Sequence, residues 1–152
     1  KKNPQDLMIQ KTTELGVQKF IPILCERSVV REVNIERINK ITTEASEQCN
    51  RISVPEISKI KNLDSFLKKF PQNGKLVFCD INSKLRTLKE DFLNTDPICI
   101  LIGPEGDFSE KEKQLIIDKK NTISISLGRN ILRAETAAIS AISILTYNLN
   151  LK

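Results

Sequence analysis

Apolar positions recur along this chain with two different periods, and the switches between them set the predicted order of elements. Asn3-Pro4-Gln5-Asp6 opens a first helix, with Asn3 as N-cap and Pro4 at the first helical position. Leu7, Met8 and Leu15 supply its inward face, and Gly16 ends it. Phe20 to Leu24 reads as a short strand. Asn34 caps a second helix whose apolar stripe is Ile38, Ile41, Ala45 and Cys49. Pro55-Glu56-Ile57 is a short extended piece, and Leu63, Phe66, Leu67 and Phe70 then fall at helical spacing. Lys75 to Asp80 is a strand centred on Leu76-Val77-Phe78-Cys79. Residues 82–95 are polar and ambiguous, with one irregular helix through Leu85, Leu88 and Phe92 as the reading.

The last third repeats one pattern twice. Ile98 to Ile102 is a continuous apolar run bounded by turn residues, which fits a strand covered on both faces of a parallel sheet. It meets Gly103-Pro104-Glu105-Gly106, where glycine lets a ligand approach bare backbone and Pro104 stiffens the turn. Ser109-Glu110-Lys111-Glu112 then forms a capping box that starts a helix. In the second unit Ile123 to Leu127 alternates as a strand does, Gly128 ends it, and a basic stretch leads into a helix from about Thr136 to Asn148. Taken alone, the first tetrapeptide is as well explained by a plain turn. Two strand-loop-helix units with glycine at the same point weaken that explanation. Ala137, Ala138, Ala141, Ile142, Ile144 and Leu145 cover most of the last helix, so it is buried or shared with a partner. The alternation of strands and helices predicts an α/β fold with a largely parallel sheet flanked by helices. Ligands in such sheets bind at the carboxyl ends of strands, where both loops stand.

Composition narrows the chemistry. The chain has 152 residues, enough for one domain with a sizeable core, and a formal charge of +5. That mild basicity is compatible with a nucleic-acid partner. With one tyrosine, six phenylalanines and no tryptophan, a base-stacking platform is disfavoured. The absence of histidine removes histidine bases and most zinc constellations, so no metal is expected. Cys25, Cys49, Cys79 and Cys99 form no Cys-x-x-Cys pair and read as small buried hydrophobes in a reducing, cytoplasmic setting. No apolar run is long enough for a membrane span, and neither a Walker lysine nor a Gly-x-Gly-x-x-Gly is present.

The two loops carry a resemblance. Gly103-Pro104-Glu105-Gly106-x-Phe108-Ser109-x-x-Glu112, followed by Leu127-Gly128-x-x-Ile131-Leu132-Arg133-x-Glu135-Thr136-Ala137, is similar to the bacterial 16S ribosomal RNA (uracil-N3)-methyltransferases of the SPOUT superfamily. Upstream, Lys11-x-x-Glu14-Leu15-Gly16-Val17, Glu26-Arg27-Ser28 and Glu47-Gln48-x-x-Arg51 match as well. Asp107 stands where many relatives carry a second glycine, and Asp tolerates a positive φ better than most residues. The resemblance implies residues 1–152 as one methyltransferase domain with a C-terminal deep trefoil knot. It also implies a homodimer paired through the knot region, and an N-terminal RNA-binding domain resembling the PUA fold that is absent from this sequence.

The same resemblance implies S-adenosylmethionine as cofactor, held by Leu101, Gly103, Pro104, Glu105, Gly106, Leu127, Gly128, Ile131 and Leu132. The small ribosomal subunit is the implied partner. Arg133 is the candidate catalytic residue, stabilising charge on uracil oxygens; a structural pairing with Glu105 or Glu135 is its alternative. Glu105 and Glu135 are secondary candidates that could equally brace the loops. Arg27, Gln48, Arg51 and Arg129 are candidate RNA contacts; Arg27 could instead pair with Glu26 or Glu32, and Gln48 and Arg51 could be a solvated helix end. Two rival classes remain at this point: an RNA-binding module without catalysis, and a related enzyme acting on a tRNA base or a ribose 2′-hydroxyl.

Overall fold

The computed structural model describes residues 3–29, 31–83 and 96–150. The expected helix through Leu85, Leu88 and Phe92 lies outside them. In order come α1 (Pro4–Glu14), β1 (Lys19–Phe20), β2 (Ile23–Leu24), α2 (Ile35–Gln48), β3 (Glu56–Ile57), β4 (Lys61–Asn62) and α3 (Leu63–Lys69). These are followed by β5 (Lys75–Cys79), β6 (Ile98–Leu101), α4 (Glu110–Asp118), β7 (Thr122–Ile125) and α5 (Ala134–Asn150).

Every strand pair among the described residues is parallel. The three-stranded sheet runs β6-β5-β7, with Val77 opposite both Ile100 and Ile123. β5 is central, so it carries the most buried run, Leu76, Val77 and Phe78, each 0–1% exposed. Ile98, Cys99 and Ile100 on β6 are only half-buried, because β6 pairs on one side. The expected strand from Phe20 to Leu24 breaks at Pro22, which has no N–H to give. Its halves pair with different partners, β1 with β3 and β2 with β4.

The main core gathers α3, α4 and the sheet: Leu63, Phe66, Leu67 and Phe70 with Leu76, Phe78, Leu101, Phe108 and Ile116. Asn3, Asn34, Asn62 and Ser109 each cap a helix through a side-chain oxygen, which satisfies N–H groups the first turn leaves free. The inward faces of α1 and α2 differ from expectation. α1 buries Ile9, Thr12 and Thr13, with Leu7, Met8 and Leu15 only half-buried. α2 buries Thr42, Ala45 and Ser46, with Ile38, Ile41 and Cys49 half-buried. Thr12 Oγ1 donates to Met8 O at 2.7 Å and Thr42 Oγ1 to Asn39 O at 2.9 Å. These hydroxyls are satisfied on their own helices and so can enter the α1–α2 seam at little cost.

α5 lies against α1, where Thr146 Oγ1 donates to Leu15 O at 3.1 Å. It buries Ala138, Ala141 and Leu145 and leaves Ile144, Tyr147 and Leu149 exposed. It is therefore one-sided within the protomer. No helix of the described residues is long and apolar enough to cross a membrane.

Candidate functional site

Because β6, β5 and β7 are parallel, their carboxyl ends share one edge of the sheet. Three loops leave from that edge. Two are those singled out in the sequence, Ile102–Ser109 and Ser126–Arg133. The third, Asp80–Ser83, stands between them because β5 is central, and sequence reasoning missed it. Asn82 N donates to Asp80 Oδ1 at 3.0 Å and Ser83 N to Asp80 O at 3.1 Å, a local turn that the Asp-x-Asn-Ser composition could have signalled.

The first loop is held from inside the protein. Phe108 is 1% exposed and meets Phe78 edge-on, ring centroids 5.5 Å apart at 73°. A Cβ on Gly103 would stand 3.0 Å from Phe108 Cε2, and one on Gly106 would stand 3.2 Å from Arg27 Cβ. At both glycines a Cβ would press on its protein neighbour by a few tenths of an ångström. Asp107 has φ 60°, a positive value that Asp tolerates, and Asp107 N donates to Pro104 O at 2.9 Å. Its Oδ1 accepts the Phe108 N–H at 2.8 Å, and Oδ2 meets Lys113 Nζ at 2.7 Å. Partial burial raises the Asp107 carboxyl. The Lys113 and Phe108 hydrogen bonds, with the Lys113 and Arg27 charges, outweigh it and hold the group below its ordinary value.

The second loop is open. Gly128 has φ 159°, and a Cβ built on it would meet nothing within 4 Å. Ser126 Oγ donates to Gly128 O at 2.9 Å and fixes the turn. Leu127 packs beside Val77 and Ile125, while Ile131 is 87% exposed, an apolar side chain with no cover. The Arg129 and Arg133 side chains are exposed and have no hydrogen-bond or ion-pair partner among the described residues. Glu105 and Glu135 likewise have none, so the alternative pairing of Arg133 with either is not formed.

The other candidates fall in two places. Arg27 is at the first loop, where its Nη1 donates to Gly106 O at 3.2 Å rather than pairing with Glu26 or Glu32. Arg51 is at the end of α1, where its Nη1 donates to Thr13 O at 2.6 Å and Val17 O at 2.8 Å. It ties the last turn of α1 to the segment that follows, and Thr13 O also accepts the Gly16 N–H at 3.0 Å. Gln48 is exposed on the last turn of α2. Burial pushes the Cys79 thiol up to about 12 and the Cys99 thiol up to about 11. Burial and the Glu112 charge push Cys25 up to about 11 against a hydrogen bond from Ser28. These thiols stay protonated near neutral pH and are not nucleophiles. Among the described residues no three His, Cys, Asp or Glu side chains converge as metal ligands would. A separate cleft of about 620 Å³ lies between Leu24–Glu26, Asn62–Asp64 and the α4 side chains of Lys111 and Leu115, away from the second loop.

Comparison with known proteins fits this geometry. The sequence model of an RNA methyltransferase domain matches residues 1–146. The ribosomal RNA small subunit methyltransferase E of Rickettsia conorii is 42% identical over 141 residues, covering 90% of this chain and 57% of that protein. The crystal structure of the small subunit methyltransferase E of Neisseria gonorrhoeae bound to S-adenosyl methionine superposes with a TM-score of 0.85. Its identity is 32%, with 95% of this chain and 61% of that one covered. A methyltransferase from Legionella pneumophila in complex with the cofactor SAM gives a TM-score of 0.82 at 32% identity, covering 97% of this chain and 62% of that one. The chain thus spans about three fifths of the length of the relatives it matches.

Proposed function

The chain belongs to the RNA methyltransferase domain family, with the α/β, parallel-stranded fold of the SPOUT methyltransferases, and from that premise we propose that it methylates N3 of a uridine in 16S ribosomal RNA with S-adenosylmethionine as donor. The observation that carries the proposal is the pair of glycine loops at one edge of a parallel sheet, one braced from inside and one open. The residues fit the donor. Gly128 offers backbone with free space in front of it, Ile131 an uncovered apolar side chain, and Gly103 and Gly106 a loop that does not yield. Leu101, Gly103, Pro104, Glu105, Gly106, Leu127, Gly128, Ile131 and Leu132 would hold it. When bound, the donor supplies a methyl group activated by a sulfonium.

The chain's own task is to position the uracil and stabilise its charge. N3 becomes nucleophilic only on losing its proton, and the negative charge spreads onto the ring oxygens. The Arg133 guanidinium is charged, planar and without a side-chain partner among the described residues, so it is available to those oxygens. Asp107 is committed to Phe108 N and Lys113, which leaves Glu105 and Glu135, without side-chain partners among the described residues, as the candidate proton acceptors of these loops. A uridine in folded RNA must be exposed or flipped to enter. Arg27 and Arg129 form the rim, with Gln48 and Arg51 as further RNA contacts through the donors that Arg51 does not spend on α1.

Three further parts belong to the same proposal. A PUA-like RNA-binding domain completes the RNA footprint in the full-length protein. The C-terminal trefoil knot is supported by the sheet order β6-β5-β7, in which the last strand crosses to the far side of β5. A homodimer is supported by Ile144 and Tyr147, apolar, exposed and neighbours on one face of α5. Ala141, 3% exposed, is internal to the protomer and does not belong to that face. The test is mass mapping of RNA treated with the full-length protein and donor. A methyl group on N3 of one 16S uridine in small subunits is the expected result. Modification of tRNA or a ribose, or none, would refute the reading.

A further inference from the structure

Glu112 does more than complete a capping box. Its Oε2 accepts the Ser109 N–H at 2.9 Å, as the box requires, but its Oε1 leaves the helix and accepts the Glu26 N–H at 2.9 Å. The side chain is buried, the residue being 6% exposed, and makes no ion pair among the described residues. A return contact runs the other way, from Arg27 Nη1 to Gly106 O at 3.2 Å, with Gly106 set directly on the Arg27 backbone. The turn that Glu112 grips is itself closed, Ser28 N donating to Cys25 O at 3.1 Å and Cys25 N to Ser28 Oγ at 3.0 Å. Two closed loops from distant parts of the chain are therefore joined across a buried carboxylate.

We propose that Glu112 is a positioning residue for methyl transfer: it keys the Cys25–Ser28 turn to the Gly103–Ser109 loop, so that the loop assigned to the donor sets where Arg27 stands at the RNA rim. This rests on the RNA methyltransferase reading. A buried carboxylate is fully satisfied only when both N–H donors are in place, and releasing either leaves one buried oxygen without its partner. The two loops consequently move as one body. Helix capping alone would need neither the burial nor the second donor.

The decisive comparison is Glu26→Pro against Glu26→Ala, in the full-length protein with small ribosomal subunits as substrate. Glu26 occupies the second position of the Cys25–Ser28 turn and is not among the residues with positive φ, so proline suits it. Proline deletes the N–H that Glu112 accepts, whereas alanine keeps it and removes only an exposed side chain. Glu26→Ala should keep the parent's constants. Glu26→Pro should raise KM for RNA about fivefold or more, with kcat and S-adenosylhomocysteine affinity each within about twofold. Adding Glu112→Gln to Glu26→Pro should then change little, because the contact is already gone. If Glu26→Pro does not fold, Glu112→Gln alone carries the test with the same KM split, since its amide turns an N–H toward one backbone donor. Identical kinetics for the two Glu26 variants overturn the proposal. So does a loss of donor affinity in step with KM, which would make Glu112 scaffold for the donor loop only. A parent protein that fails to methylate small subunits refutes the underlying reading instead, before any variant is made.

Discussion

Gly103→Ala probes whether the donor loop owes its shape to the core beneath it. The added Cβ would stand 3.0 Å from Phe108 Cε2 and 3.3 Å from Phe108 Cδ2, against an ordinary contact of about 3.5–4.0 Å between carbons. The ring cannot retreat, because Phe108 is 1% exposed and its edge meets Phe78, also 1% exposed. Overpacking of this kind costs about 1–3 kcal/mol. A domain of about 150 residues moves by about 2–4 °C per kcal/mol, so thermal unfolding should fall by about 2–12 °C. The strain has an identifiable source, and this makes the prediction specific. In a Phe108→Leu background, where the ring is gone, adding Gly103→Ala should cost much less than it does in the parent. Calorimetric melts of the four proteins close this cycle, and titration with S-adenosylhomocysteine should show weaker binding for Gly103→Ala alone. Equal costs in both backgrounds, or a melt within about 1 °C of the parent, would refute the packing argument.

Three other outcomes follow from the same contacts. Arg133→Ala should leave stability within about 0.5 kcal/mol, since the side chain has no partner among the described residues, and lower the methylation rate about 10²–10³-fold with donor affinity kept. Normal turnover, or joint loss of binding and activity, would move Arg133 to the scaffold or the donor pocket. Arg51→Ala removes bonds of 2.6 and 2.8 Å to Thr13 O and Val17 O and should cost about 1.5–3 kcal/mol in urea denaturation, with an unchanged midpoint counting against that tie. The Asp107 carboxyl is held below its ordinary 3.8 in the folded protein, so its contribution is complete above that value and is lost as pH falls through the lowered folded one. Asp107→Asn should therefore flatten the fall in stability below about pH 4, and unchanged acid unfolding curves would exclude Asp107 as its source.

The sequence by itself determined the helices α1 to α5, the strands β5, β6 and β7 and the two loops, but not β4. Asn3, Asn34 and Ser109 cap helices as expected, and capping is legible because it depends on residues a few positions apart; the Asn62 cap was missed. The Leu63, Phe66, Leu67 and Phe70 stripe fell where the periodicity put it, for the same reason. The positive φ at Asp107 is one that Asp tolerates, so the departure from glycine there leaves the loop intact. Tertiary structure decided what depends on partners far along the chain. The α1–α2 seam buries Thr12, Thr13, Thr42 and Ser46, which a hydrophobic pattern reads as surface; it cannot see that the Thr12 and Thr42 hydroxyls are satisfied on their own helices. The split at Pro22 sends β1 and β2 to different neighbours, a choice set by β3 and β4. Arg27 and Arg51 look alike as lone arginines in polar stretches, yet one reaches Gly106 and the other the end of α1. Glu112 read as half of a capping box. Only the folded chain brings the Glu26 N–H to its other oxygen, since a hydrogen bond between residues 86 positions apart leaves no local trace in the sequence.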